Sequence, residues 1–102
     1  MRIQVRAGAM KLSKAQRARL AARLTFALAR FGESIDRVIV RLSDVAEPAG
    51  FKRCQLDVSA RTGLVTVEHS DADVFLALEH AARRAARSVG RSIEKASWPV
   101  GG

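Results

Sequence analysis

Apolar residues in this chain recur with two different periods, and the period changes mark the elements. Ile3, Val5 and Ala7 alternate with Arg2, Gln4 and Arg6, which predicts a half-buried strand ended by Gly8. Ser13 followed by Gln16 fits a capping box, and a helix opens there and runs to about Arg30. Leu20, Leu24, Ala27, Leu28 and Phe31 recur at helical spacing and form its core face, with Gly32 as the stop. Val38, Val40 and Leu42 alternate with Arg37, Ile39 and Arg41 in a second strand. Glu47-Pro48-Ala49-Gly50 is turn chemistry. Cys54, Leu56, Val58 and Ala60 alternate with Arg53, Gln55, Asp57 and Ser59 in a third strand. Arg61-Thr62-Gly63 reads as a hairpin turn, with Gly63 suited to a positive φ, and Val65 and Val67 mark a fourth strand.

Ser70 or Asp71 can cap a last helix from about Ala72 to Lys95, with Val74, Phe75, Leu78, Ala82, Ala85 and Val89 inward. The order is β-α-β-β-β-α. Each strand has one apolar face and each helix one apolar stripe. Both helices therefore pack on one face of a four-stranded sheet, a two-layer α+β sandwich. A right-handed crossover makes the first two strands parallel if they are neighbours, and the turns make the later ones antiparallel. One domain over residues 1–95 is expected, followed by a flexible tail over 96–102, where Pro99 and the terminal glycines discourage helix.

Composition adds mainly charge. The chain has 102 residues, enough for one core, and 18 Lys and Arg against 10 acids, a formal net charge of +8. A surplus of that size speaks to partners and not to the fold, and the partner it fits is a polyanion. The charge is uneven. Residues 14–30 hold Lys14, Arg17, Arg19, Arg23 and Arg30 and no acid, whereas residues 31–71 are slightly acidic. An ordinary solvated helix mixes signs for i,i+4 pairing, and the first helix does not.

On a helical wheel the core face of the last helix centres near ~300° from Phe75, and His80, Arg83, Arg84, Arg87, Arg91 and Lys95 lie between ~80° and ~200°. Arg84, Arg87, Arg91 and Lys95 form a single ridge opposite the core. On the first helix Arg19, Arg23 and Arg30 share one flank with Phe26, and Lys14 and Arg17 share the other. A ridge that presents guanidinium groups every ~5–6 Å suits phosphate, which Arg binds through paired hydrogen bonds. How the two helices align laterally decides whether their ridges merge.

Other classes recede. A lone cysteine, Cys54, allows no internal disulfide and reads as a small buried hydrophobe. No apolar run approaches the ~20 residues of a membrane span, and both helices need their apolar faces for the sheet, so no membrane partner is expected. The N-terminus lacks the apolar core of a secretory signal, and a cytoplasmic setting is expected. No motif surrounds a serine, and no acid, base or ligand constellation appears. No catalytic site, cofactor or small-molecule substrate is therefore expected. His69 and His80 are far apart in sequence and lack a third ligand, so no metal site is expected. The sheet's open face has no aromatic on which to stack bases, which favours backbone and shape recognition over base reading.

The residues resemble a family at this point. Asp73-Val74-Phe75-Leu76-Ala77-Leu78-Glu79 is similar to the Asp-Met-Tyr-x-Ala-Ile-Asp opening of the last helix in the ribosome hibernation-promoting factor and ribosome-associated inhibitor family. Met10-Lys11-Leu12-Ser13 resembles that family's helix start, and Val38-Ile39-Val40-Arg41-Leu42 its second strand. The resemblance spans residues 1 to about 91. Phe26 departs from it, standing where a base is common.

The resemblance implies a translation inhibitor without chemistry of its own. Its basic helices would dock on ribosomal RNA of the small ribosomal subunit, in the messenger and transfer RNA channel, in stress or stationary phase. It assigns contacts to Arg17, Arg23, Arg84 and Arg87, and Arg91 and Lys95 extend that ridge by geometry. A monomer is expected. The alternative is a general binder of structured RNA or DNA backbones on the same fold.

Overall fold

Alternation decides the sheet. The computed structural model describes residues 1–96. The elements are β1 (Arg2–Arg6), α1 (Lys14–Leu28), a 3-10 turn (Ala29–Ser34), β2 (Ile35–Asp44), β3 (Lys52–Ala60), β4 (Gly63–Asp71) and α2 (Val74–Ala96). The strands lie in the order β1-β2-β3-β4. β1 and β2 are parallel, with Ile3 beside Val38 and Val5 beside Val40, as a crossover through α1 requires. The other pairings are antiparallel, with Val40 opposite Leu56, Leu42 opposite Cys54, and Leu56 opposite Val67. The four-stranded α+β sandwich expected from the pattern is the observed fold.

Val38, Val40, Leu42, Cys54, Leu56 and Val58 point to one face and are buried there. α2 packs over β3 and β4, and α1 packs on α2 and against β1. Leu20, Leu24 and Leu28 of α1 and Leu78, Ala82, Ala85 and Val89 of α2 close the same core. No polar or charged residue among the described ones is buried. The opposite face of the sheet is open, and Arg2, Gln4, Arg6, Arg37, Arg41 and Arg53 are exposed on it.

Local chemistry sets the ends. The Ser13 hydroxyl accepts from the Gln16 N–H at 3.0 Å while the Gln16 amide oxygen accepts from the Ser13 N–H at 2.9 Å, the expected capping box. Gly8 (φ 57°) and Gly63 (φ 133°) take backbone conformations that other residues resist, at the end of β1 and in the β3–β4 hairpin.

Three boundaries differ from the sequence reading. The α-helix stops at Leu28, not Arg30, and tightens into the 3-10 turn. Gly32 keeps a negative φ and is not a left-handed cap. β2 begins at Ile35 because a register shift between Ile35 and Arg37 resets the alternation and lets Ile35 join the core. α2 begins at Val74, two residues late. The Asp71 carboxylate first accepts from the Asp73 N–H at 2.9 Å, and Asp73 then caps the helix through the Phe75 N–H at 2.8 Å. The tail expected after Lys95, with Trp98, Pro99, Gly101 and Gly102, lies outside the described residues apart from Ala96, the last residue of α2.

Leu56 is fully buried at the centre of the sheet. Leu56→Ala should cost about 2–5 kcal/mol of unfolding free energy, read from urea denaturation with an unchanged slope. Ser13→Ala should cost about 1 kcal/mol in the same measurement, through the lost cap.

Candidate nucleic-acid interface

The two helices turn their basic flanks toward each other. An open groove of about 940 Å³ runs between them, lined by Arg23, Phe26 and Ala27 of α1 and by Leu78, Glu79, Arg83 and Arg87 of α2. A second, smaller hollow continues it and is lined by Arg30, Phe31, Arg87, Gly90, Arg91 and Glu94. The Arg87 and Arg91 part of the last-helix ridge therefore meets the Arg23 and Arg30 flank of α1 along one seam.

Bringing so many guanidinium groups together raises their mutual repulsion, and the seam contains the features that offset it. Arg19 and Arg23 lie over the Phe75 ring, at 4.7 and 5.1 Å from its centroid, and Arg30 lies over Phe31 at 5.3 Å. Arg23 also pairs with Glu79 across the helices. Phe75 and Phe31, read from spacing as core residues, are half-buried: one ring surface packs on the core and the other carries cations. Gly90 makes room for Phe31, since a Cβ there would stand 3.1 Å from the ring.

The six residues singled out from the sequence divide into two groups. Arg17 donates to the Val5 carbonyl oxygen at 2.9 Å and ties α1 to β1, away from the seam. Arg84 donates to the Glu68 carbonyl oxygen at 2.7 Å and ties α2 to β4. Arg23 is held by Glu79 and Phe75. Arg87, Arg91 and Lys95 are exposed, with no hydrogen-bond or ion-pair partner among the described residues. The seam also includes Arg19, Arg30 and Arg83, which the sequence placed on basic flanks without assigning them contacts. Arg19 and Arg83 stand one turn before Arg23 and Arg87, and Arg30 two turns after Arg23, which puts them on the same flanks; the lateral helix alignment that joins those flanks is absent from the sequence pattern. Phe26, 86% exposed, stands in the groove wall as an apolar surface among cations.

Away from the seam, Asp57 on the open sheet face accepts from Arg41 at 2.9 Å, Gln55 at 3.1 Å and Thr66 at 3.2 Å. The Arg41 hydrogen bond is the main reason its carboxyl sits below the ordinary carboxylate range, against a smaller opposing effect of burial. Burial pushes the Cys54 thiol up to about 12, which keeps it in the inert thiol form expected of a core residue.

His69 and His80 depart from expectation. α2 folds back over β4, so the two rings lie 4.6 Å apart, and the Asp71 carboxylate lies beside them. No helix among the described residues is long and apolar enough to cross a membrane.

No protein-family model matches the sequence, and no curated protein matches it. Solved structures do match. The N-terminal domain of Protein Y from Thermus thermophilus superposes with a TM-score of 0.76 at 27% identity, over 89% of this chain and 98% of that one. A ribosomal subunit interface protein from Coxiella burnetii superposes with a TM-score of 0.76 at 14% identity, over 95% of this chain and 100% of that one, and shows the shared fold. The fold is thus that of the ribosomal subunit interface proteins. The likeness to the Thermus domain supports the resemblance to the ribosome hibernation factor family.

The lowered Asp57 carboxyl contributes stability that is present above the ordinary carboxylate pKa and is lost as pH falls through the folded-state value. Asp57→Asn should lower the urea midpoint at neutral pH and flatten the acid limb of the stability profile. An unchanged acid limb would contradict this account of the Arg41–Asp57 pair.

Proposed function

We propose that this chain is a ribosome-binding translation inhibitor that docks its two basic helices on small-subunit ribosomal RNA, in the messenger and transfer RNA channel, during stress or stationary phase. One observation carries the reading: the facing flanks of α1 and α2 make a continuous cationic seam on a fold shared with the Thermus domain. In this reading residues 1–95 act as one monomeric cytoplasmic domain that performs no chemistry.

The division among the six arginines and lysines assigns them different roles. Arg87, Arg91 and Lys95 meet phosphate directly, because they have no internal partner to give up. Arg23 exchanges Glu79 for phosphate at small cost, since both side chains are about 40% exposed and an exposed pair contributes only about 0–1 kcal/mol. Arg17 and Arg84 keep their carbonyl partners and present their remaining donors. Counterion release supplies the affinity and makes it fall with salt.

The test is sedimentation of purified protein with small ribosomal subunits at low and raised salt. Wild type should travel with the subunit, and Arg87→Glu/Arg91→Glu should stay at the top of the gradient. Arg37→Glu/Arg53→Glu, with the same charge change on the bare sheet face, measures how much of that loss comes from net charge alone. With Arg87→Ala alone the log–log salt slope should fall by about 1. Wild type that fails to bind ribosomes sinks the proposal. Equal affinity for an arbitrary RNA duplex favours the general backbone binder instead.

A further inference from the structure

We propose that His69, Asp71 and His80 form a binding site for a divalent transition-metal ion of the zinc type, clipping the start of α2 to β4. His69 and Asp71 are two apart on β4, so both project to the helix-covered face, beyond the last buried residue of that strand, Val67. His80 comes down from the first half of α2 to meet them. One donor atom from each residue lies within 4.8 Å of the others. Ligands of a tetrahedral zinc ion stand about 2.0–2.2 Å from it, so closing the set needs only small side-chain rotations. His69 and Asp71 are partly exposed and His80 is exposed, which leaves them room to make that movement.

Two features separate this cluster from a chance meeting of polar groups. The imidazole rings approach at 4.6 Å and are tilted by 33°, and neither ring has a hydrogen-bond partner among the described residues. One ring nitrogen from each histidine thus lies in the cluster with no protein group among the described residues competing for it. The Asp71 carboxylate, in contrast, is already oriented. One oxygen accepts from the Asp73 N–H at 2.9 Å, which leaves the other available to an ion.

Two imidazoles and one carboxylate form a borderline donor set, suited to zinc, nickel or copper and poor for calcium or magnesium. Three protein ligands leave a fourth position for water. A bound ion joins strand to helix, so it stabilises the folded chain in proportion to its occupancy.

The chain has only two histidines, and the proposal requires both. Untagged protein is titrated with Zn2+ by calorimetry and thermal unfolding, and the histidine ring signals are followed by NMR as Cu2+ is added in trace amounts. A stoichiometry of one, a raised Tm, and simultaneous broadening of both rings are expected. His80→Ala changes an exposed side chain and should leave the fold intact. It should weaken Zn2+ binding more than about 100-fold, since loss of an outer hydrogen bond alone costs about 10–100-fold at metal sites. The proposal is overturned if Zn2+ leaves Tm unchanged at millimolar concentration. It is equally overturned if His80→Ala binds as wild type does, or if only one ring broadens.

Discussion

A sheet with one wet and one dry face imposes the rest of this structure. Period-two alternation sends Val38, Val40, Leu42, Cys54, Leu56 and Val58 to one side, and that side must be covered. Two helices suffice, but only if they lie side by side, and lying side by side brings their flanks into contact. The core therefore dictates the seam. Any bases that the helices carry on those flanks are forced together, whatever their electrostatic cost.

That cost is met by side chains which belong half to the core. Phe75 and Phe31 bury one ring surface against apolar neighbours and offer the other to guanidinium groups. Glu79 adds an exposed countercharge to Arg23. None of these partners is deeply desolvated, so none holds its cation strongly. The arrangement keeps the free domain folded while leaving most of its seam exchangeable with an outside anion. Gly90 has a purely steric part, since the small residue lets the Phe31 ring approach α2.

The strands, helices and layer arrangement were legible in the sequence because burial enforces periodicity. The Ser13–Gln16 box and Gly63 were legible because a cap and a positive φ demand particular residue types. Less visible were features set by tertiary placement. Gly32 looked like a helix stop, yet the chain tightened at Leu28 instead. Ile35 joined the core through a register shift that no alternation rule anticipates. Arg17 and Arg84 share the basic character of Arg87 and Arg91, and only the approach of Val5 and Glu68 carbonyls distinguishes them. His69 and His80 met because α2 doubles back across β4, a relation absent from linear spacing.

The domain is also thin. Its shortest principal extent is 17 Å, and the uncovered sheet face opposite the seam carries Arg2, Arg6, Arg37, Arg41 and Arg53. At physiological ionic strength the screening length is about 8 Å, so the two broad sides act as separate cationic surfaces back to back. Such a plate on a single flat anionic wall leaves one of its surfaces idle. Between two facing walls, both surfaces shed counterions at once, and the plate behaves as a charged shim whose thickness selects the gap it fills.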